Sequence, residues 1–375
     1  MYLHQEEIVN EARKVLYQRG YDDMKPIGDG GYATIYKVRS RQYQDDFVVK
    51  LIDLTLDESS NNIMPTAFKT EIDALTHLDH PNVIRIFDQF TTNTLLYIIL
   101  EYCPGGSLKD IIVKNGFIPP PVLFDWCRQI INALYFCHQH GIAHRDVKPS
   151  NILIDKYSRA KLADFGLAQL YQMPKYSSKD ESNDTNNSQN SRKKHLLSNI
   201  FGGSLPYLPP EILYEKLYDP FKADVWSLGA TFYEMATGKL PWDPPGGMDP
   251  ENLIEMMNQP AYSPLLKLNK STNPDFIKAL SMMLTMEPNS RCSLPSIMNL
   301  PIFQKQKTKA LNKDSSVFQR RSFKSLSARC SSGRNSCIYS SKRSLPIGIV
   351  HTFQSEESEE KKQDEEDYSL QYLKS

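Results

Sequence analysis

His144-Arg145-Asp146-Val147-Lys148-Pro149-Ser150-Asn151, with Asp164-Phe165-Gly166 after it, is the stretch of this 375-residue chain that decides its reading. It sets several polar groups of different chemistry among apolar flanks. Asp146 can orient a hydroxyl nucleophile and accept its proton. Lys148, two positions on, can stabilise negative charge on a group in transfer. Asn151 offers an amide oxygen and Asp164 a carboxylate, hard donors suited to a cation such as Mg2+. As a chance surface loop, this spacing would be very improbable.

Working upstream, Gly28-Asp29-Gly30-Gly31-Tyr32-Ala33-Thr34-Ile35 is glycine-rich. Without Cβ atoms, its backbone N–H groups can approach phosphate oxygens closely. A dinucleotide-binding turn needs a helix next, whereas Ile35-Tyr36-Lys37-Val38 continues as a strand. Taken alone, a hairpin turn is the stronger reading. Phe47-Val48-Val49-Lys50 then ends an apolar strand on a lysine, and Glu71 lies in the helical pattern Phe68, Ile72, Leu75, Leu78. A strand lysine is ordinarily a solvated edge residue; one held by a helix glutamate becomes a fixed cation.

The surrounding chain divides into zones. Ile8, Val9, Ala12, Val15 and Leu16 predict a helix within residues 1–20, ahead of the core. From Tyr21 to about Tyr102 the signals are short strands, Ile35 to Val38, Phe47 to Ile52 and Leu95 to Leu100. Beyond Gly106 the helical period dominates, with one stripe at Phe124, Ile130, Ile131, Leu134 and Phe136 and another at Val225, Leu228, Phe232 and Met235. This order predicts an α+β fold of two lobes, a small β-rich one (21–102) and a larger helical one (103–303). Residues 173–198 are almost purely polar and read as a disordered insertion; 304–375 read as a disordered tail, Ser/Arg-rich and then acidic.

Composition narrows the class without naming a partner. Lys plus Arg equals Asp plus Glu at 44 each, which gives no basis for nucleic-acid binding. Six cysteines without a CxxC pair read as reduced thiols rather than a disulfide framework or zinc site. The start MYLHQEEIVN lacks a signal peptide's basic and apolar regions, and the apolar run Leu95 to Leu100 is far too short to span a bilayer. A cytoplasmic protein, with nuclear access, is expected.

These motifs, in this order, resemble the eukaryotic protein-kinase family from about Tyr21 to Phe303. The resemblance implies a bilobal kinase fold and ATP and Mg2+ as cosubstrate and cofactor. It places Gly28, Gly30 and Ala33 in the phosphate-covering loop, and Lys50 on the phosphates, paired with Glu71. Asp146 and Lys148 become the catalytic pair, and Asn151 and Asp164 the metal ligands. Glu101 to Cys103 becomes the hinge, Leu100 the gatekeeper and Val48 the adenine roof; Ile27, Ile35 and Leu153 complete the nucleotide contacts. Asp224 and Arg291 match buried anchors, Arg291 pairing with Glu211. Val48 stands where alanine is usual, which narrows the pocket, and Ala33 replaces a third glycine.

Lys148 and Ser204 match the pattern of serine/threonine kinases, so the expected substrates are proteins with Ser/Thr acceptors. Phe201, Leu205 and Leu208 imply an apolar preference just after the acceptor. Of three carboxylates by which many kinases bind upstream arginines, only Glu234 is kept; Ser107 and Ser150 replace the others. Ile200 occupies the usual phosphothreonine position and Gln169 replaces a basic phosphate partner, so activity is expected either without phosphorylation or through a nearby site such as Ser198. The alternative function is a pseudokinase scaffold, which loss of Lys50, Asp146 or Asp164 would favour; all three are present. Phosphorylation of a small molecule or lipid is a further rival. The subgroup most resembled is that of the calcium/calmodulin-dependent kinases. The tail reads first as a phosphorylatable linker, then as an autoinhibitor through its basic segment Phe318 to Arg334, and third as a site for a regulatory partner such as calmodulin or for an acidic membrane.

Overall fold

Strand alternation sorts the small lobe into two faces, and those faces position everything else. The computed structural model describes residues 2–30, 33–54, 78–171, 197–198, 202–269 and 271–304. Strands β1 (Tyr21–Gly30), β2 (Ala33–Ser40), β3 (Asp46–Asp53), β4 (Ile86–Thr91) and β5 (Leu95–Glu101) form an antiparallel sheet in the order β1-β2-β3-β5-β4. Phe47, Val49 and Leu51 of β3 share a buried cluster with Tyr36, Val38, Leu95, Tyr97 and Ile99. Helix α1 (Tyr2–Gln18) lies over this face and inserts Ala12 and Leu16, both fully buried. The predicted helix is therefore a cover for the sheet, which its own apolar stripe did not reveal.

The intervening residues point the other way. Val48, Lys50 and Ile52 pair across to Leu100, Ile98 and Leu96 on one side and to Lys37, Ile35 and Ala33 on the other. One register thus gathers Ala33, Ile35, Val48, Lys50 and Leu100 on a single face. Strands β1 and β4 had no counterpart in the sequence reading. Both carry register shifts, at Asp22/Lys25 and Pro26/Gly28 in β1 and at Ile86/Asp88 in β4, and bulges interrupt the period-two signal.

The larger lobe is built on α3 (Pro120–Gln139), α5 (Pro220–Thr237) and α7 (Pro274–Met283), which enclose Trp126, Ile130, Leu134, Leu228, Phe232, Phe276 and Leu280. Helix α5 is buried on nearly every side from Pro220 to Met235, as befits a core helix. It starts at Asp219, whose carboxylate accepts from the Phe221 and Lys222 N–H groups, and stops at Gly238 in the left-handed region. Helix α2 (Leu108–Asn115), entered through a Ser107/Asp110 capping box, follows the connection from β5. The short helix α4 (Pro210–Leu213) precedes α5, and α6 (Pro250–Asn258) and α8 (Leu294–Met298) complete the lobe.

Two short ladders carry the loops of interest: β6 (Ile142–Ala143) pairs with β9 (Gln169–Leu170), and β7 (Ile152–Ile154) with β8 (Ala160–Leu162). The segment after β5 is tied to β7, with the Gly105 N–H donating to Ile154 O and the Ile154 N–H to Gly106 O, each at 2.9 Å. A Cβ at position 105 would meet Ile154 Cβ at 2.7 Å, so this approach requires glycine. Among the described residues no helix is long and apolar enough to cross a membrane. The expected helix around Phe68, Glu71, Ile72 and Leu75 lies outside the described residues. So do the polar insertion apart from Leu197 and Ser198, and the tail beyond Gln304.

Candidate active site

Asp224, on the buried helix α5, holds the loop between β6 and β7 from beneath. Its Oδ2 accepts the His144 N–H at 2.8 Å and its Oδ1 the Arg145 N–H at 2.7 Å, while His138 Nε2 approaches Oδ2 at 2.8 Å. These bonds support a left-handed backbone at Arg145 (φ 66°), a conformation that non-glycine residues adopt only when their surroundings impose it. Thr231 Oγ1, two turns further along α5, donates to Val147 O at 3.1 Å. The loop is thereby fixed on both sides of Asp146.

The polar residues of this loop converge on the Asp146 carboxylate. Lys148 Nζ lies 2.9 Å from Oδ2, and Asn151 Nδ2 donates to Oδ2 at 2.8 Å and to Asp146 O at 2.9 Å. From the other side, Ser204 Oγ and Ser204 N donate to Oδ1 at 2.9 and 3.1 Å. Lys148 Nζ also reaches Ser204 Oγ. A carboxylate oxygen is thus already oriented to accept from a hydroxyl, with a cation beside that hydroxyl. Both Asn151 N–H bonds go to Asp146, which leaves its Oδ1 as the atom able to meet a metal.

Asp164 sits at the junction of the lobes, also in the left-handed region (φ 58°). Its Oδ1 accepts from Lys50 Nζ of β3 at 2.7 Å. Burial, the largest influence, pushes the Asp164 carboxyl upward, but Lys50, then His144 and Lys148, outweigh it and hold the pKa below its ordinary value. The Phe165 ring is buried beneath, 4.7 Å from the His144 ring, and His144 Nε2 pairs with Ala163 O at 3.0 Å. The expected partner of Lys50, Glu71, lies outside the described residues; Asp164 is the partner observed.

The remaining nucleotide-site residues fall on the elements named above. Gly28 pairs with Ile35, and Val48 lies opposite Leu100. Ile27 is half exposed, while Gly30 closes β1 opposite Ala33. Leu153 bridges to Ser107 after the hinge segment. Glu101 is gripped by Lys161 of β8 at 2.7 Å, a contact that sequence reading missed. The only local hint was a lysine inside the apolar run Ala160-Lys161-Leu162, a strand position where a buried cation requires a partner. Cys103 is buried, and desolvation followed by the Glu101 charge pushes its thiol up to about 12.

Downstream, Glu211 and Arg291 form a buried two-bond pair at 2.6 and 2.9 Å. Leu205 and Leu208 are partly buried near this segment; Ile200 and Phe201 lie outside the described residues. Ser198, the nearby site named as an alternative, is buried in a paired segment. It is 4% exposed, its backbone pairs with Tyr218 at 2.8 and 3.1 Å, and it hydrogen-bonds the Tyr171 side chain. Gln169 accepts from Tyr171 Oη at 2.7 Å.

A family model described as "Protein kinase domain" matches residues 21–303 of the 375. CBL-interacting protein kinase 11 of Oryza sativa subsp. japonica is 29% identical over 79% of this chain and 53% of its own length. CBL-interacting serine/threonine-protein kinase 15 of Arabidopsis thaliana is 30% identical over 76% and 61%. Maternal embryonic leucine zipper kinase of Xenopus tropicalis is 30% identical over 75% and 38%. The chain spans about half the length of the curated relatives it matches. With the family matched across both lobes and through the segment that carries Asp146, Lys148, Asn151 and Asp164, this chain belongs to the protein kinase domain family.

Proposed function

We propose that this chain transfers the γ-phosphoryl group of ATP to serine or threonine hydroxyls of protein substrates. The observation that carries the reading is the Asp146 carboxylate, which accepts the Ser204 hydroxyl at 2.9 Å while Lys148 stands 2.9 Å from its other oxygen. A substrate hydroxyl presented to the same carboxylate is oriented for attack, and Asp146 takes its proton as the new O–P bond forms and the bond to the leaving diphosphate breaks. Lys148 offsets charge on the phosphoryl in transit. Lys50, on the cleft face of β3, is placed to hold nucleotide phosphates.

Asn151 Oδ1 and Asp164 fit Mg2+ as hard oxygen donors. Among the described residues no group of three or more His, Cys, Asp or Glu is gathered to hold a metal by itself, which suits an ion that completes its shell with phosphate and water. When bound, Mg2+ neutralises phosphate charge. Relatives named as serine/threonine-protein kinases support the acceptor class. A cytoplasmic location, with nuclear access, belongs to the same proposal and is supported by the free thiols of Cys103, Cys127, Cys137 and Cys292.

The test is transfer of labelled γ-phosphate from ATP to a protein substrate mixture, followed by phosphoamino-acid analysis. Label on serine or threonine, reduced by roughly 10²–10⁴ in Asp146→Asn, is the expected result. Nucleotide binding without transfer by the unaltered chain would instead support the scaffold reading.

A further inference from the structure

Glu234, on α5, has a carboxylate almost withdrawn from water, its side chain 3% exposed. A buried carboxylate requires donors or a cation, and this one has both. Tyr207 Oη donates to Oε2 at 2.5 Å, and Lys109 Nζ of α2 lies 2.9 Å from Oε1. The two partners differ in kind. Tyr207 is buried, and burial followed by the Glu234 charge pushes its phenol pKa up, so it donates at every physiological pH. Lys109 is 47% exposed and arrives from the solvent side, on the helix that follows the hinge segment.

The location gives this pair a role. The Tyr207 N–H donates to Ser204 O at 2.9 Å, and Ser204 is bound to Asp146. Tyr207 therefore ties Glu234 to the turn that begins at Ser204, whose hydroxyl binds the carboxylate that orients the acceptor. Neither of the serines at the other two positions expected to bind arginine carries a charge. Ser107 is spent on its capping box with Asp110, and Ser150 is an exposed hydroxyl.

We propose that Lys109 is a specificity-determining residue of the peptide site. It is a tethered cation that fills Glu234, so that a basic side chain upstream of the acceptor gains nothing there. Lys109 is held beside the carboxylate by its own helix, so an arginine of a bound peptide must first displace a cation already in place. Remove Lys109, and Glu234 becomes a buried acid lacking its cation, which an arginine of the substrate can satisfy with its planar fork. The inference rests on the peptide-phosphorylating reading above.

The experiment pairs peptides identical except for arginine or alanine at each upstream position. It reads both binding, by fluorescence anisotropy, and kcat/KM. The unaltered chain is expected to treat the pairs within about twofold. Lys109→Met is expected to favour arginine at one position by at least tenfold, in Kd and KM rather than kcat. Lys109→Arg should retain the original indifference, and Glu234→Gln added to Lys109→Met should abolish the new preference. If Lys109→Met does not fold, Lys109→Gln, which keeps a donor toward Glu234, serves in its place. A tenfold arginine preference in the unaltered chain, no gain in the variant, or a gain that survives Glu234→Gln would overturn the proposal. Anisotropy does not depend on turnover. A chain that binds peptides but never phosphorylates them would refute the kinase reading alone, and the binding preference would still decide the role of Lys109.

Discussion

Arg291 clasps Glu211 through two parallel bonds, with its own side chain fully buried and its guanidinium 5.0 Å from the Trp226 ring centroid. The same guanidinium donates to Thr285 O and Lys222 O, at 3.0 and 2.9 Å. One residue therefore fastens α4, the start of α5 and the loop before α8. Arg291→Met strands Glu211 as an uncompensated buried charge, so the variant should lose about 3–5 kcal/mol of stability. Thermal and urea melts measure this; a loss below 1 kcal/mol would mean that the pair is replaceable by packing.

Ser204 tests the geometry of the carboxylate that receives the acceptor. Its hydroxyl links Asp146 to Lys148, so Ser204→Ala should lower kcat by roughly tenfold, about 1.4 kcal/mol of transition-state stabilisation, with KM for ATP unchanged. Ser204→Thr, which keeps the hydroxyl, should recover most of the loss. Steady-state kinetics on one peptide substrate suffice, and equal activity in the alanine variant would refute the positioning role.

The Lys50–Asp164 pair sets a pH signature. The Asp164 pKa is lowered in the fold from its ordinary 3.8, so whatever the pair contributes to stability is fully present above that value. It is lost as pH falls through the lowered folded pKa. The gap in melting temperature between the unaltered chain and Lys50→Met should be flat from pH 8 to about 5 and close only below about 4. A gap that closes near pH 6 would assign the effect to another group.

Helix α1 should count as part of the folding unit. Leu16 is fully buried in one cluster with Tyr36, Phe47 and Tyr97 of the sheet, so Leu16→Ala should cost about 2–5 kcal/mol. Exposed Tyr17, whose ring lies 4.4 Å from the Arg41 guanidinium, should tolerate Tyr17→Ala with less than about 1 kcal/mol lost. Equilibrium unfolding of both variants makes the comparison.

The chemistry of the site could be read from the sequence because its parts are local. Asp146, Lys148 and Asn151 lie on one loop, and Asp164 follows two short strands later. The cleft face of β3 was equally open, since alternation around Val48 and Lys50 has one meaning for a half-buried strand. What escaped was set by contacts between distant segments. Lys161 meets Glu101, and Lys109 meets Glu234, only after the chain has folded. Neither pair has a spacing that a local pattern can express. Strand β4 escaped for another reason: none of its side chains is fully buried, and a register shift at Ile86/Asp88 interrupts its alternation.

The buried Ser198 bears on the order of events in any modification of this chain. Its backbone is sewn to Tyr218 and its side chain bonded to Tyr171, so a modifying enzyme meets this hydroxyl only after the pairing has parted. Phosphate attached there adds a charge of about −2 and bulky oxygens to a site with no room for them, and the seam cannot close again. Such a mark would work as a wedge that records an earlier opening, and the opening, not the mark, would set the pace.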